Sequence, residues 1–156
     1  IILNDIDWIT IFFFIGLFMI VEGLVHTGFI DLLAQGVMSI TNGEPKTTSM
    51  VILWLSGILS AWIDNIPFVA AMIPMIKSIG LQMQNVAQVQ PLWWALSLGT
   101  CLGGNGTLVG ASANIVAVGI ANRNGYKISF MDYTKIGLIF ALESMLLSSA
   151  YIWFRY

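Results

Sequence analysis

The sequence predicts an all-α, polytopic membrane protein, a helical bundle that contains a re-entrant helical hairpin and a discontinuous transmembrane helix. Three observations predict it. Hydrophobic residues make up 58% of the 156 residues and charged ones only 9%, with a mean hydropathy of +0.87, a balance outside that of soluble domains. Several apolar runs approach or reach the length of roughly 20 residues that crosses a bilayer as helix. Two of those runs are interrupted internally, by Asp64-Asn65-Ile66-Pro67 and by Gly103-Gly104-Asn105-Gly106-Thr107.

The first span is residues 8–25, WITIFFFIGLFMIVEGLV, long enough at ~1.5 Å per residue for a hydrocarbon core of roughly 30 Å; it carries one acid, Glu22. Residues 27–41 read as an amphipathic helix at the interface. Phe29, Leu32, Leu33 and Val37 recur there at helical spacing, with Asp31 and Gln35 between them. After the turn at TNGEPK, residues 50–79 form two apolar arms on either side of the Asp64-Asn65-Ile66-Pro67 turn, each about 20 Å long as helix. Two sub-span helices joined by a polar turn at membrane depth are tolerated only where the irregular backbone faces protein or a wet cavity. Pro67 suits the first turn of the second arm, where its missing N–H costs nothing; one long helix kinked at Pro67 is the rival reading.

The polar stretch LQMQNVAQVQP separates this hairpin from residues 92–122, which are too long for an ordinary helix and are broken by clustered glycines. A final span covers residues 136–154, with Glu143 close to its middle. Arg123, Lys127 and Lys135 gather at one loop, which the positive-inside rule puts in the cytoplasm. The C-terminus and the open end of the hairpin then lie outside and Ile1 inside, although Asp5 and Asp7 give that orientation no support. The chain opens with IILNDID, without a methionine and without the basic region of a signal peptide, and is read as part of a longer polypeptide.

Chemistry concentrates at the two interruptions. Where a membrane helix breaks, the first half ends in unpaired carbonyls that ligate cations and the second begins with unpaired N–H groups that favour anions. Asp64 and Asn65 at the first break, with Asn105, Thr107, Ser112 and Asn114 around the second, offer an oxygen cage for a hard cation such as sodium, or a proton site at Asp64. The plainer alternatives are packing for Gly99-x-x-x-Gly103 and Gly106-x-x-x-Gly110, and an interfacial position for Asp64. Glu143 is either a pathway residue or an acid that is protonated or paired with Ser144, Ser148 or a polar group beyond this sequence. Glu22 and His26 share a helix face at a membrane exit and read mainly as a structural pair. Trp8, Trp93, Trp94 and Trp153 read as interface anchors.

Other classes are disfavoured. Six Lys and Arg against eight Asp and Glu leave a net charge of −2 with no basic run, so nucleic acid is not an expected partner. The single Cys101 leaves no internal disulfide and no paired-cysteine metal site. The glycine cluster is followed by no GK[ST] and misses the dinucleotide spacing. No nucleophile, base and orienter recur at usable spacing, so no enzyme is expected. A passive channel would show conductance without coupling, and a membrane scaffold would tolerate replacement of Asp64 and Asn105.

LSAWIDNIPFVAAMIPMI followed by LWWALSLGTCLGGNGTLVGASANIVAVGIA resembles the ion transporter superfamily. The likeness is to the group of arsenite permeases, NhaD-type sodium/proton antiporters and the melanosomal P protein, and most of all to the last. The resemblance runs from about Trp8 to the C-terminus. It implies one half of an inverted-repeat transporter, the C-terminal repeat, with the other repeat outside this sequence. It also implies a homodimer in the lipid bilayer, and a cation site of Asp64, Asn65, Asn105, Gly106 and Thr107 beside the substrate, a small inorganic ion or anion. No cofactor is expected, and a sodium ion or proton serves as the coupling ion. Asp-Asn stands where the dicarboxylate carriers have Ser-Asn-Thr, which favours an exchangeable acid over di- or tricarboxylate transport.

Overall fold

A computed structural model describes residues 8–83 and 86–156, except for the side chains of Ile9, Thr10 and Val86. Asp5, Asp7 and the opening IILNDID lie outside the described residues. Those described form seven α-helices and a single 3-10 turn.

Helix α1 (Trp8–His26) is an apolar run that ends at Gly28, whose φ of 73° suits the residue without a Cβ. The chain bends by 65° there into α2 (Phe29–Thr41). α2 buries Ile30, Ala34, Val37 and Thr41, one face at successive turns, and stops at Asn42 and Gly43, both with positive φ. Helix α3 (Pro45–Ser60) starts from Glu44, whose carboxylate accepts from Thr47 N at 2.8 Å, with proline in the first turn. Helix α4 (Asn65–Gln82) starts from Asp64 and holds Pro67 in its first turn, as expected. Helix α5 (Val86–Gly103) runs into the 3-10 turn Gly104–Gly106; α6 (Ser112–Arg123) follows, and α7 (Phe130–Arg155) closes the chain behind a Ser129–Asp132 capping box.

Several elements are longer than their apolar runs. The helices in place of the two expected hairpin arms, α3 and α4, have 16 and 18 residues, about 24 and 27 Å of helix rather than 20; polar Thr48 and Ser49, buried inside the bundle, extend α3 past its apolar boundary. α5 begins at Val86, not Leu92, and carries Pro91 internally. α7 begins at Phe130, not Ile136, because its capping box satisfies the first turn. It has 26 residues and is by itself long and apolar enough to cross a membrane; among the described residues, Ile11–His26 and Phe29–Thr41 pass that test together as a bent pair.

α5 is the centre of the packing. It lies along α3 in the same direction, with Gly99 opposite Leu53 and Ser56 and Gly103 opposite Gly57. It runs antiparallel to α4, with Val89 against Gly80 at one end and Asn65 against Gly104 at the other. The two arms therefore flank α5 instead of packing mainly on each other. α7 runs antiparallel to α3: Gly57 meets Met145, Trp54 Nε1 donates to Ser149 Oγ at 3.0 Å, and Lys46 Nζ stands 4.9 Å from the centre of the Trp153 ring. Ile52, Leu53, Met75, Ile76, Ile79, Leu92 and Leu96 fill the core between α3, α4 and α5. α2 covers α4, where Ser78 Oγ donates to Asp31 Oδ1 at 2.6 Å.

Candidate ion site at two helix breaks

Because α3 and α5 run in parallel, their C-terminal ends come to the same level, and the interruptions that follow them meet. Glycine makes the approach possible. A Cβ on Gly103 would land on the backbone of Gly57, and one on Gly110 would stand 2.8 Å from Ser60 O and 2.9 Å from Ala61 O. On the far side, a Cβ on Gly137 of α7 would collide with the carbonyl oxygen of Asn105. The packing role of Gly99 and Gly103 and the interruption of the helix are thus one arrangement, not alternatives.

Asp64 is half-buried and sits at the N-termini of two helices. Its Oδ1 accepts from Ile66 N of α4 at 3.2 Å, and its Oδ2 accepts from Ser112 N of α6 at 2.8 Å and from Ser112 Oγ. Unpaired N–H groups and the positive ends of two helix dipoles face this carboxylate. The Asn65 amide, with its nitrogen turned toward acceptors, donates to Thr100 O and Gly110 O, each at 3.1 Å, and lies 2.7 Å from Ser60 Oγ. Ser60 Oγ also donates to Thr100 O at 3.0 Å.

Thr107 is fully buried; its hydroxyl donates to Ala61 O and accepts from Gly110 N at 3.2 Å. Asn114 Nδ2 donates to Gly104 O and to Thr107 O, both at 3.1 Å. Asn65 and Thr107 thereby tie the two breaks to each other, while Asn114 ties together the two sides of the second. Asp64, Asn65, Thr107, Ser112 and Asn114 come together in one cluster, and Asp64 is its ionisable member. Gly106 lies at its edge, where a Cβ would meet Ala61, Leu138 and Ala141 at 3.4–3.5 Å.

Asn105 and Glu143 are placed elsewhere. Asn105 is exposed and lines a groove of about 540 Å³ with Lys127, Ile128, Asp132, Tyr133 and Gly137. Glu143 is exposed on α7. Glu22 and His26 are paired at 3.3 Å, both largely exposed. Among the described residues no group of three or more His, Cys, Asp or Glu converges.

Four participants lack a signal in the reading above: Ser60, the Ala61 carbonyl, Thr100 and Gly137. Thr100 is fully buried, its carbonyl accepts from Ser60 and Asn65, and its hydroxyl has no partner among the described residues. The buried small and polar stripe of α3, from Thr48 and Ser49 through Ser56 and Gly57 to Ser60, is the pattern that marks this face in sequence.

A family model described as citrate transporter matches residues 2–99, which include the first break and stop short of the second. An uncharacterized transporter of Mycobacterium tuberculosis is 42% identical over 154 residues, 99% of this chain and 36% of that protein. The 46 kDa membrane protein of Mycobacterium leprae is 40% identical over the same share of each. The P protein of Sus scrofa is 38% identical over 157 residues, 97% of this chain and 19% of that protein. The chain thus spans about a third of the length of its mycobacterial relatives. No solved structure matches. Composition, the length of α7 and a relative described as a membrane protein agree on an integral membrane chain. With more than half of its residues matched by the model and relatives that match nearly its whole length, the chain belongs to the citrate transporter family, a family of membrane transporters and not of enzymes.

Proposed function

We propose that the chain carries the coupling-ion site of a secondary transporter that works by alternating access, with Asp64 as the group that exchanges a proton or a sodium ion. In this reading α3 and α4 are a re-entrant hairpin and α5 and α6 a discontinuous span. The whole is one of two inverted repeats, acting as a homodimer. The observation that carries it is the position of the breaks. They meet beside the middle of α7, against Gly137, Leu138, Ala141 and Met145 of a helix that runs from Phe130 to Arg155, and an acid lies at the meeting point. Interrupted helices at mid-membrane are where transporters bind ions. Arg123 and Lys127 then mark the cytoplasmic end.

The geometry supplies a way to couple occupancy to shape. Ser112 donates twice to the Asp64 oxygen that a proton or cation would take. Loading Asp64 competes with those bonds and loosens the N-terminus of α6 from the hairpin tip; unloading restores them. A sodium ion would draw its remaining oxygens from Asn65, Thr107 and the break carbonyls, with Asn105 contributing its backbone.

The test is transport by the full-length protein in liposomes, with internal pH followed by a dye as sodium, lithium, potassium or arsenite is added outside. A sodium-dependent pH change that disappears in Asp64→Asn, with the protein still inserted and monodisperse, supports the reading. An unchanged response in that variant sinks it. An anion permease is the second reading, favoured by the groove in which Lys127 lies beside Asn105. The Asp64 carboxylate opposes an anion until a bound cation neutralises it. Uptake of arsenite or citrate that ignores sodium and fails in Lys127→Ala would move the assignment there.

A further inference from the structure

Three of the chain's six lysine and arginine residues, Arg123, Lys127 and Lys135, gather where α6 gives way to α7, and between Ser112 and Leu142 they face a single acid, Asp132. The loop that carries Lys127 is pinned on both sides. Tyr126 N donates to Ala121 O at 3.1 Å, and Ile128 N donates to Asn122 Oδ1 at 2.9 Å, so the backbone of Lys127 is held against the end of α6. Lys127 has no ion-pair partner among the described residues, although Asp132 lines the same groove. That acid is committed to the cap of α7, where its Oδ2 accepts from Ser129 Oγ at 2.5 Å and from Ser129 N at 3.4 Å. Past the lysine the groove turns apolar, with Ile128, Ile136 and Phe140 along it. Gly137 leaves it open there, with Cε1 of the Tyr133 ring 3.2 Å from where a Cβ would stand. From Tyr133 to Phe140 the groove follows α7 for about 10 Å.

A fixed, unpaired lysine at one end and an apolar bed at the other suit an amphiphile. A free inorganic anion would use the lysine and leave the bed bare, and a water-filled path to the breaks would need more polar lining than Ile128, Ile136 and Phe140 supply. Basic pockets at the end of membrane helices attract anionic headgroups. We propose that this groove seats one phospholipid with an anionic headgroup, its phosphate at Lys127 beside the interfacial ring of Tyr133 and the upper part of one acyl chain along Ile136 and Phe140. That chain lies over Gly137, where α7 touches the Asn105 carbonyl, so the bound lipid braces α7 against the second break. The proposal rests on the membrane location and stands whether or not Asp64 carries the coupling ion. The second reading above puts a free anion at the same lysine, and the experiment separates the two.

The experiment attaches a bimane fluorophore at Phe140→Cys in the full-length protein, reconstituted in phosphatidylcholine liposomes on a background without other cysteines. Traces of phosphatidylglycerol or phosphatidylcholine, each with a quenching nitroxide on the upper part of one chain, are then compared. Phosphatidylglycerol should associate about fivefold better, the factor that one lysine beside an anionic headgroup contributes. Lys127→Gln should bring the two lipids to parity. Lys77→Gln, which removes the same charge from α4, should keep the preference, as inorganic phosphate or arsenite in the buffer should. A label at Ile139→Cys, at nearly the same depth but outside the groove, should show no preference. Equal quenching by both lipids at Phe140 would mean ordinary bilayer contact, and no quenching by either would mean that the rest of the transporter covers the groove. A preference erased by free phosphate or arsenite would mean a soluble-anion site, and one lost equally in Lys77→Gln a net-charge effect. Each of these four results overturns the proposal, as does a preference that survives Lys127→Gln.

Discussion

At the meeting of the breaks, Asp64 accepts from Ile66 N and from both donors of Ser112. On the outside of α7, Glu143 stands among exposed isoleucine, leucine and phenylalanine with no donor described. Both are acids within apolar sequence. What separates them is the backbone around each. An interrupted helix supplies N–H groups to a carboxylate, whereas an intact one has already used its own. An acid at a break can be satisfied by its own fold, while an acid on a continuous helix depends on a neighbour.

The strongest way to break this contrast is to separate the breaks. Gly103→Val in the full-length protein drives a branched side chain into the Gly57 backbone and should cost about 3 kcal/mol, read as loss of the monodisperse peak on heating in detergent. A variant as stable as the parent would mean that α3 and α5 do not touch there. Asn114→Ala should cost roughly 1–3 kcal/mol, because it leaves two buried carbonyls at Gly104 and Thr107 without their donor; thermal melting of the same preparation measures it.

Asn105→Ala, nine residues earlier, sharpens the comparison. Exposed at the Lys127 groove, it should change stability by about 0.5 kcal/mol or less and, if the proposed sodium site holds, leave sodium affinity nearly intact. A large loss of sodium affinity would place its amide in the ion cluster.

The smallest expected effect lies at the far end of α3. The Thr47 hydroxyl and N–H that bond Glu44 hold its carboxyl below the usual 4.5, so the cap stabilises fully above that pH and is lost as pH falls through the depressed native value. The melting temperatures of Glu44→Ala and the parent should therefore differ slightly at pH 7 and converge below pH 4.5.

Much of the fold was legible because proline, glycine and acid residues interrupt apolar runs where continuous helix cannot hold. Those residues marked both breaks and put Pro67 in a first turn. Asp64, Asn65, Thr107, Ser112 and Asn114 could be named because polar groups are costly in that setting. Their partners could not, since Thr100 and the Ala61 carbonyl take part through backbone oxygens that every residue has. Ser60 and Gly137 enter only because tertiary packing brings α3 and α7 to the same level. Asn105 shows the limit at finer scale: adjacent residues in a tight 3-10 turn point in different directions, and spacing alone does not say which way. The start of α5 was misplaced because Pro91 reads as a boundary, although a helix buried along two others can forgo one hydrogen bond.

The placement of α5 between the arms also has a consequence for biosynthesis. A ribosome makes α3 and α4 before α5, and these two helices complete their packing on the one that comes last. When the hairpin first leaves the chain-inserting channel, its glycine-lined face has no partner and Asn65 has no Thr100 carbonyl to bind. The arms stay without their main partner until α5 is drawn in between them, and the polar cluster at the breaks closes only later, when Thr107, Ser112 and Asn114 have been made.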